Sequence, residues 1–274
     1  MKVAFYWILA VFITFSAIIY QRKTGPTYDK KVDVTIDNQL YKFKLIRSHG
    51  GNSDCKIELS IPDTAVTGIL SYKLFPGDKP WTDTEMIRSG EKLAAALPNL
   101  PPAGKYEYKI SLQKDSRVFE LNQNDPVIIR FKGDVPATVL IPHIIFMFFA
   151  MFLGNVAGIM AIFKHPKFRF YGTLTVIFLF AGGMVLGPLV QKYAFGEYWA
   201  GVPFAWDLTD NKTLIAFIFW VLAWVMNRKS EKPVYTIVAS IVMIIVYSIP
   251  HSMFGSQLDH ESGKVIQGWI QLFF

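Results

Sequence analysis

The sequence predicts a membrane-embedded α-helical bundle joined to an all-β domain. Apolar runs long enough to cross a bilayer occur at the N-terminus and again through the second half of the chain. Between them, residues 27–136 are charged, rich in turn residues, and alternate apolar with polar side chains. The 274-residue chain is 52% hydrophobic, more than an ordinary soluble domain carries. The expected organisation is an anchor helix over residues 1–22, a β-sandwich over 27–136, four transmembrane helices over 137–252, and an extracytoplasmic or interfacial tail over 253–274.

Taken in order, Val3–Tyr20 is the first apolar segment. No small-residue cleavage site follows it in TFSAIIYQRKTG, so an uncleaved anchor is expected. The strands then read VDVTI, LYKFKLI, CKIELSI, GILSYKLF, KLAAAL, KYEYKISL and PVIIRF. Asp37–Asn38, Pro62, Pro76–Gly77, Pro98, Pro101–Pro102 and Asp125–Pro126 punctuate them. Seven short strands at this spacing predict an antiparallel sandwich. Cys55 alternates with Ile57, Leu59 and Ile61, which makes it a buried strand residue. As the only cysteine, it excludes an intrachain disulfide. Trp81 and Met86 are expected to pack at the core or edge, and His49 is expected to be a lone surface histidine.

The later spans are Val139–Phe163, Tyr171–Val190, a stretch ending at Met226, and Val234–Pro250. The run Leu214–Met226 is too short alone. It reaches spanning length if the helix starts near Leu208, with Asp207 as N-cap and Asp210 at the third helical position, where carboxylates meet free backbone N–H groups. Ala150, Gly154 and Gly158 recur every four residues, as do Gly183 and Gly187, and small residues at that spacing let membrane helices approach closely. Asn155, deep in its helix, requires an interhelical partner.

The net charge of +7 comes largely from short connections: Lys164, Lys167 and Arg169 in one, Arg228, Lys229 and Lys232 in another. Basic residues so distributed exclude a nucleic-acid surface and mark the cytoplasmic side. The expected location is the bacterial cytoplasmic membrane, with the N-terminus inside and the β domain and C-terminus outside. Arg22, Lys23, Lys30 and Lys31 run against this orientation, although long domains translocate despite their charge.

The richest connection is GEYWAGVPFAWDLTDNK, residues 196–212. Tyr198, Trp199, Phe204 and Trp206 suit an interfacial belt. With Asp207 among them, they suit equally a folded cap that touches the β domain or a partner. The tail VIQGWIQLFF is expected to lie in the interface as a short amphipathic piece.

Ile-Pro-His occurs twice, with His143 opening one helix and His251 closing the last. Two facing imidazoles at one membrane face are the ligand set of a b-type haem. Met147 stands one turn from His143, and Met253 and His260 follow His251. A His/Met set of that kind holds copper, because thioether favours Cu(I). Interfacial packing alone accounts for the same histidines. His165 shows no evident partner. The β domain shows no paired carboxylates, Ser-His-Asp set or glycine-rich phosphate loop, and neither intramembrane acids nor a run of buried charge supports a proton-coupled transporter.

Two resemblances follow from these residues. SYKLFPGDKPWTDTEMIRSGEKLAAALPNLPPAGKYEYKISL resembles the second half of a fibronectin type III or immunoglobulin-like module, and implies that fold without a function. HIIFMFFAMFLG is similar to a core helix of b-type cytochromes, with His143 in the ligand place, although the next helix carries no histidine. As a whole the chain resembles multi-pass bacterial envelope proteins that pair a sandwich with a helix bundle. The function expected is therefore a non-enzymatic subunit or assembly factor of a membrane complex, embedded in the bilayer beside a membrane-protein partner. The alternatives are a haem b redox protein and a copper-handling protein.

Overall fold

The computed structural model describes residues 2–250, 256–260, 262–263 and 265–267. The chain divides into two compact units. One contains residues 1–26, 135–256 and 267–274, and the other residues 27–134 and 257–266.

In the β unit all seven expected strands form, together with short ones the alternation did not announce. In chain order they are β1 Lys30–Ile36, β2 Gln39–Leu45, β3 Ser48–Gly50, β4 Cys55–Ser60, β5 Thr67–Leu74, β6 Thr82–Glu85, β7 Ile87–Ser89, β8 Lys92–Leu97, β9 Lys105–Lys114, β10 Arg117–Glu120 and β11 Val127–Lys132. They make a β1–β2 hairpin, a sheet ordered β3-β11-β9-β5-β6 with β10 added to β9, and a sheet ordered β4-β8-β7. Asp37 and Asn38 both take positive φ, which a two-residue hairpin demands and which Asp and Asn tolerate best after glycine. One apolar core gathers Phe43 and Leu45, Ile57 and Leu59, and Tyr108, Ile110 and Phe131 from the three sheets. Cys55 is fully buried in it, as alternation predicts. Met86 is buried, while Trp81 lies at the edge with the Lys73 and Lys109 ammonium groups 5.1 and 4.6 Å from its ring centre. His49 pairs with Phe131 in the sheet register, and its Nε2 meets the Ser53 carbonyl at 2.8 Å.

After the helices, β12 Ser256–Leu258 and β13 Val265–Gln267 pair with each other. The Leu258 N–H donates to the Ala103 carbonyl at 3.0 Å. Val265–Gln267, the first three residues of the tail VIQGWIQLFF, are the second strand of this pair. The final residues, 268–274, lie outside those described.

In the helical unit, α1 is Lys2–Thr24 and α2 is Ala137–Ile162. α3, Phe168–Leu179, continues through a π-helical stretch, Phe180–Leu186, into α4, Gly187–Phe195. α5 is Leu208–Met226 and α6 is Pro233–Ser248. Among the described residues four helices are long and apolar enough to cross a membrane: Val3–Thr24, Ala137–Ile162, Phe168–Phe195 and Leu208–Met226. α6, expected to span as far as Pro250, has 16 residues. At 1.5 Å per residue it is about 24 Å long, short of the ~30 Å hydrocarbon thickness.

The glycine pattern of α2 is a contact surface. A Cβ added at Gly154 would stand 2.8 Å from Met243 Sδ and 3.0 Å from Trp220 Cζ2, and one at Gly158 would collide with the Ser240 side chain. Gly183 approaches Thr213 in the same way. Asn155 finds its partner in the first helix, where its Nδ2 donates to Thr14 Oγ1 at 2.9 Å. The buried residues of α1 (Tyr6, Ala10, Thr14 and Ala17) recur every three to four positions, so this segment packs as a member of the bundle. Tyr6 stacks on Phe163 at 5.0 Å and meets the His165 ring edge-on, giving that histidine an aromatic neighbour.

Two outcomes follow. Gly154→Leu forces Trp220 and Met243 away and is expected to cost roughly 1–3 kcal/mol; an unchanged melting temperature in detergent contradicts the close contact. In the β unit, burial together with nearby Arg130 holds the Lys105 ammonium down at about 7 from its ordinary 10.5. The unfolded chain thus keeps a proton that the folded one gives up, so stability rises with pH from about 7 to 10.5. The slope is at most about 1.4 kcal/mol per pH unit. Melting of the full chain should show this rise, and Lys105→Met should remove it.

Candidate functional site

The carboxyl end of α4, the connection to α5 and the last turn of α6 meet at one end of the helical unit. Gly196 closes α4 at φ +88, with its N–H donating to the Lys192 carbonyl at 2.9 Å. The connection then folds back on the first turn of α5. Asp207 is the N-cap, as its position predicts, and its Oδ1 accepts from the Thr209 and Asp210 N–H groups at 2.7 and 3.2 Å. Its own N–H donates to the Ala200 carbonyl at 2.8 Å. Asp210 Oδ2 accepts from the Ala200 N–H at 2.7 Å and from Gln191 Nε2 at 3.0 Å. Asn211 Oδ1 accepts from the Val202 N–H at 2.7 Å. Gly201 makes this approach possible, because a Cβ there would lie 2.8 Å from both Asn211 Oδ1 and Asp210 Cβ.

Lys212, one helical step further on, is 4% exposed, and its Nζ donates to the Ile249 carbonyl at 2.6 Å. Gln21 of α1 adds donations to the Tyr247 carbonyl at 2.6 Å and to that of Ile249 at 3.3 Å. Together they satisfy carbonyls left open where α6 stops short, and the ammonium lies at the negative end of that helix. Three ionisable side chains are buried here, with Asp207, Asp210 and Lys212 3%, 7% and 4% exposed. In sequence they look like the wet edge of a loop. In space the fold of 196–207 and the end of α6 cover them.

The predicted interaction residues divide in two. Tyr198, Phe204 and Trp206 are 56%, 81% and 60% exposed. Trp199 is half-buried, with its indole N–H donating to the Val202 carbonyl at 3.1 Å. Asp207 is consumed as cap. The outward aromatics therefore stand on backbone fixed by buried carboxylates and an amide.

Of the predicted ligands, His143 Nδ1 lies 2.9 Å from the Gly182 carbonyl in the π-helical stretch. Met147 packs on the same stretch, its sulfur 3.1 and 3.6 Å from Cβ positions at Gly182 and Gly183, and it accepts from the Tyr247 hydroxyl at 3.7 Å. α2 and α6 are thus neighbours, the condition for His143 and His251 to converge. His251 and Met253 lie outside the described residues. His260 follows β12, in the β unit, its Nε2 buried and without a hydrogen-bond partner. Among the described residues no group of three or more His, Cys, Asp or Glu side chains is arranged to hold a metal ion. Sequence reasoning missed Lys212, Gln191 and Gln21. The signal that existed was a lysine and a glutamine within apolar helices.

No protein-family model matches the sequence, and comparison with curated proteins gives no match.

Asp210→Ala removes the acceptor shared by Ala200 and Gln191, and each stranded donor costs about 1–3 kcal/mol. Chymotrypsin should then cut at Tyr198 or Phe204 far faster than in wild type. Asp210→Asn, which keeps an acceptor oxygen, should stay close to wild type.

Proposed function

We propose that this chain is a non-enzymatic subunit or accessory factor of a bacterial membrane complex. In this reading the β unit is a fibronectin type III or immunoglobulin-like sandwich that lies outside the cytoplasm and binds a protein. The N-terminus and the basic connections lie inside. The observation that carries the reading is the set of exposed aromatics Tyr198, Phe204 and Trp206 on a pinned cap. Large rings held at low entropy cost are what hot spots at protein interfaces use. The basic short connections support the orientation.

One position tests both parts. Cys55 is fully buried, so a cysteine placed at Phe204 is the reactive thiol. An impermeant maleimide should label Phe204→Cys in intact spheroplasts; labelling only after lysis reverses the topology. A photo-crosslinking residue at 204, in membranes of the native host, should give a protein adduct of one discrete mass, lost in Trp206→Ala. Adducts with lipid alone reduce the cap to an interfacial belt.

A second reading, a redox protein holding haem b through His143 and His251, is supported by one contact. With Nδ1 engaged by the Gly182 carbonyl, His143 has Nε2 left for a ligand role, the arrangement that orients metal-bound histidines. The copper variant gains less, because Met147 is packed against Gly182 and Tyr247. A Soret band in protein purified from its native host decides for haem, and a colourless protein decides against it.

A further inference from the structure

At the opposite end of the helical unit, α3, α5 and α6 enclose a cavity of about 200 Å³. Its lining includes Arg169, Arg228, Trp220, Trp224, Asn227 and Thr236. Arg169 follows the first residue of α3, Arg228 follows α5 by two, and Thr236 is in the first turn of α6. The cavity thus opens where the two basic connections run.

The hydrogen-bond inventory of this lining is one-sided. Asn227 is spent internally: its Nδ2 donates to the Ala223 carbonyl at 2.7 Å and to Thr236 Oγ1 at 3.3 Å, and its Oδ1 accepts from the Lys232 N–H at 2.7 Å. Arg169 Nη2 donates to the Arg228 carbonyl at 2.8 Å, which fixes one guanidinium beside the other residue's backbone. The Arg228 guanidinium lies 4.9 Å over the Trp224 ring. Neither arginine has a carboxylate partner among the described residues. Trp220 is 1% exposed and its indole N–H has no partner. What remains is weighted toward donors: two guanidinium groups without a carboxylate and the Trp220 indole N–H, beside the Thr173 hydroxyl, whose proton goes to the Arg169 carbonyl at 2.9 Å. No carboxylate lines the cavity to hold a cation, whereas an anion with several acceptor oxygens meets two guanidinium groups and an indole N–H.

We infer that this cavity binds a phosphate group, supplied by an anionic phospholipid headgroup. Phe170 and Val225, next in sequence to the lining residues Arg169 and Trp224, are exposed apolar residues and support the lipid source. Basic pockets between membrane helices hold acidic headgroups by the same combination. A free phosphate monoester carries the same chemistry, and the test separates the two sources.

Melting of the full chain is compared in phosphatidylglycerol and phosphatidylcholine nanodiscs. Phosphatidylglycerol should raise the melting temperature by about 4 °C, the effect of a ligand well above its Kd. Arg169→Gln with Arg228→Gln should lose most of that rise. Lys229→Gln with Lys232→Gln, at the same end but outside the cavity, should keep it. Protection by millimolar inorganic phosphate in phosphatidylcholine, against chloride at equal ionic strength, assigns the same site to free phosphate. Equal loss in the lysine pair reduces the effect to diffuse surface charge and overturns the site. Should the arginine pair fail to fold, native mass spectrometry of wild type decides. Selective retention of phosphatidylglycerol over phosphatidylcholine is expected, and no selectivity, with no protection by phosphate, overturns the inference.

Discussion

Close approach to α2 is the constraint on which the helical unit rests. Lipid tails are as apolar as leucine, so helices gain nothing by hiding apolar surface from one another and must gain by contact. α2 makes that contact possible. Gly154 admits Trp220 of α5 and Met243 of α6, Gly158 admits Ser240, and Asn155 bonds to Thr14 of α1. Almost every residue from Ala150 to Ala161 is buried in consequence. The opposite arrangement holds on α1, where Phe5, Ile8, Phe12, Phe15 and Ile19 form an exposed apolar stripe suited to lipid.

Backbone polarity sets the second constraint. Carbonyls at the end of α6 take side-chain donors from other helices, Ile249 from Lys212 and Tyr247 from Gln21. Lys212 sits on the same first turn of α5 whose carboxylates close the 196–207 connection. Cap, buried charge and helix end therefore form one connected polar cluster. The other end of the bundle is basic, with Arg169 and Arg228 lining its cavity.

The β unit depends on simpler rules. Alternation buries Cys55, Ile57 and Leu59 on one face of β4 and leaves Lys56 and Glu58 exposed. The two-residue Asp37–Asn38 turn fixes the β1–β2 register. Lys105, by contrast, lies opposite Arg130 in the β9–β11 register, and its Nζ donates to Gln257 at 3.1 Å. Nothing local to β9 requires its amine to be buried.

The sequence by itself determined the features whose cause is periodic or local. Seven strands follow from alternation, four long helices from apolar length, the Asp207 cap from its place before Leu208, and the tight α2 face from Ala150, Gly154 and Gly158. These properties reside in one element and its immediate neighbours, where propensity and spacing act directly. Only the tertiary structure decided which separated residues meet. The pairing of Lys212 with Ile249, of Asn155 with Thr14 and of Leu258 with Ala103 joins positions 37 to 155 residues apart, and the cavity is likewise assembled from three helices. No period in a chain encodes those distances, because side-chain reach and the demand of each buried polar group for a partner select them only once the helices and strands have packed.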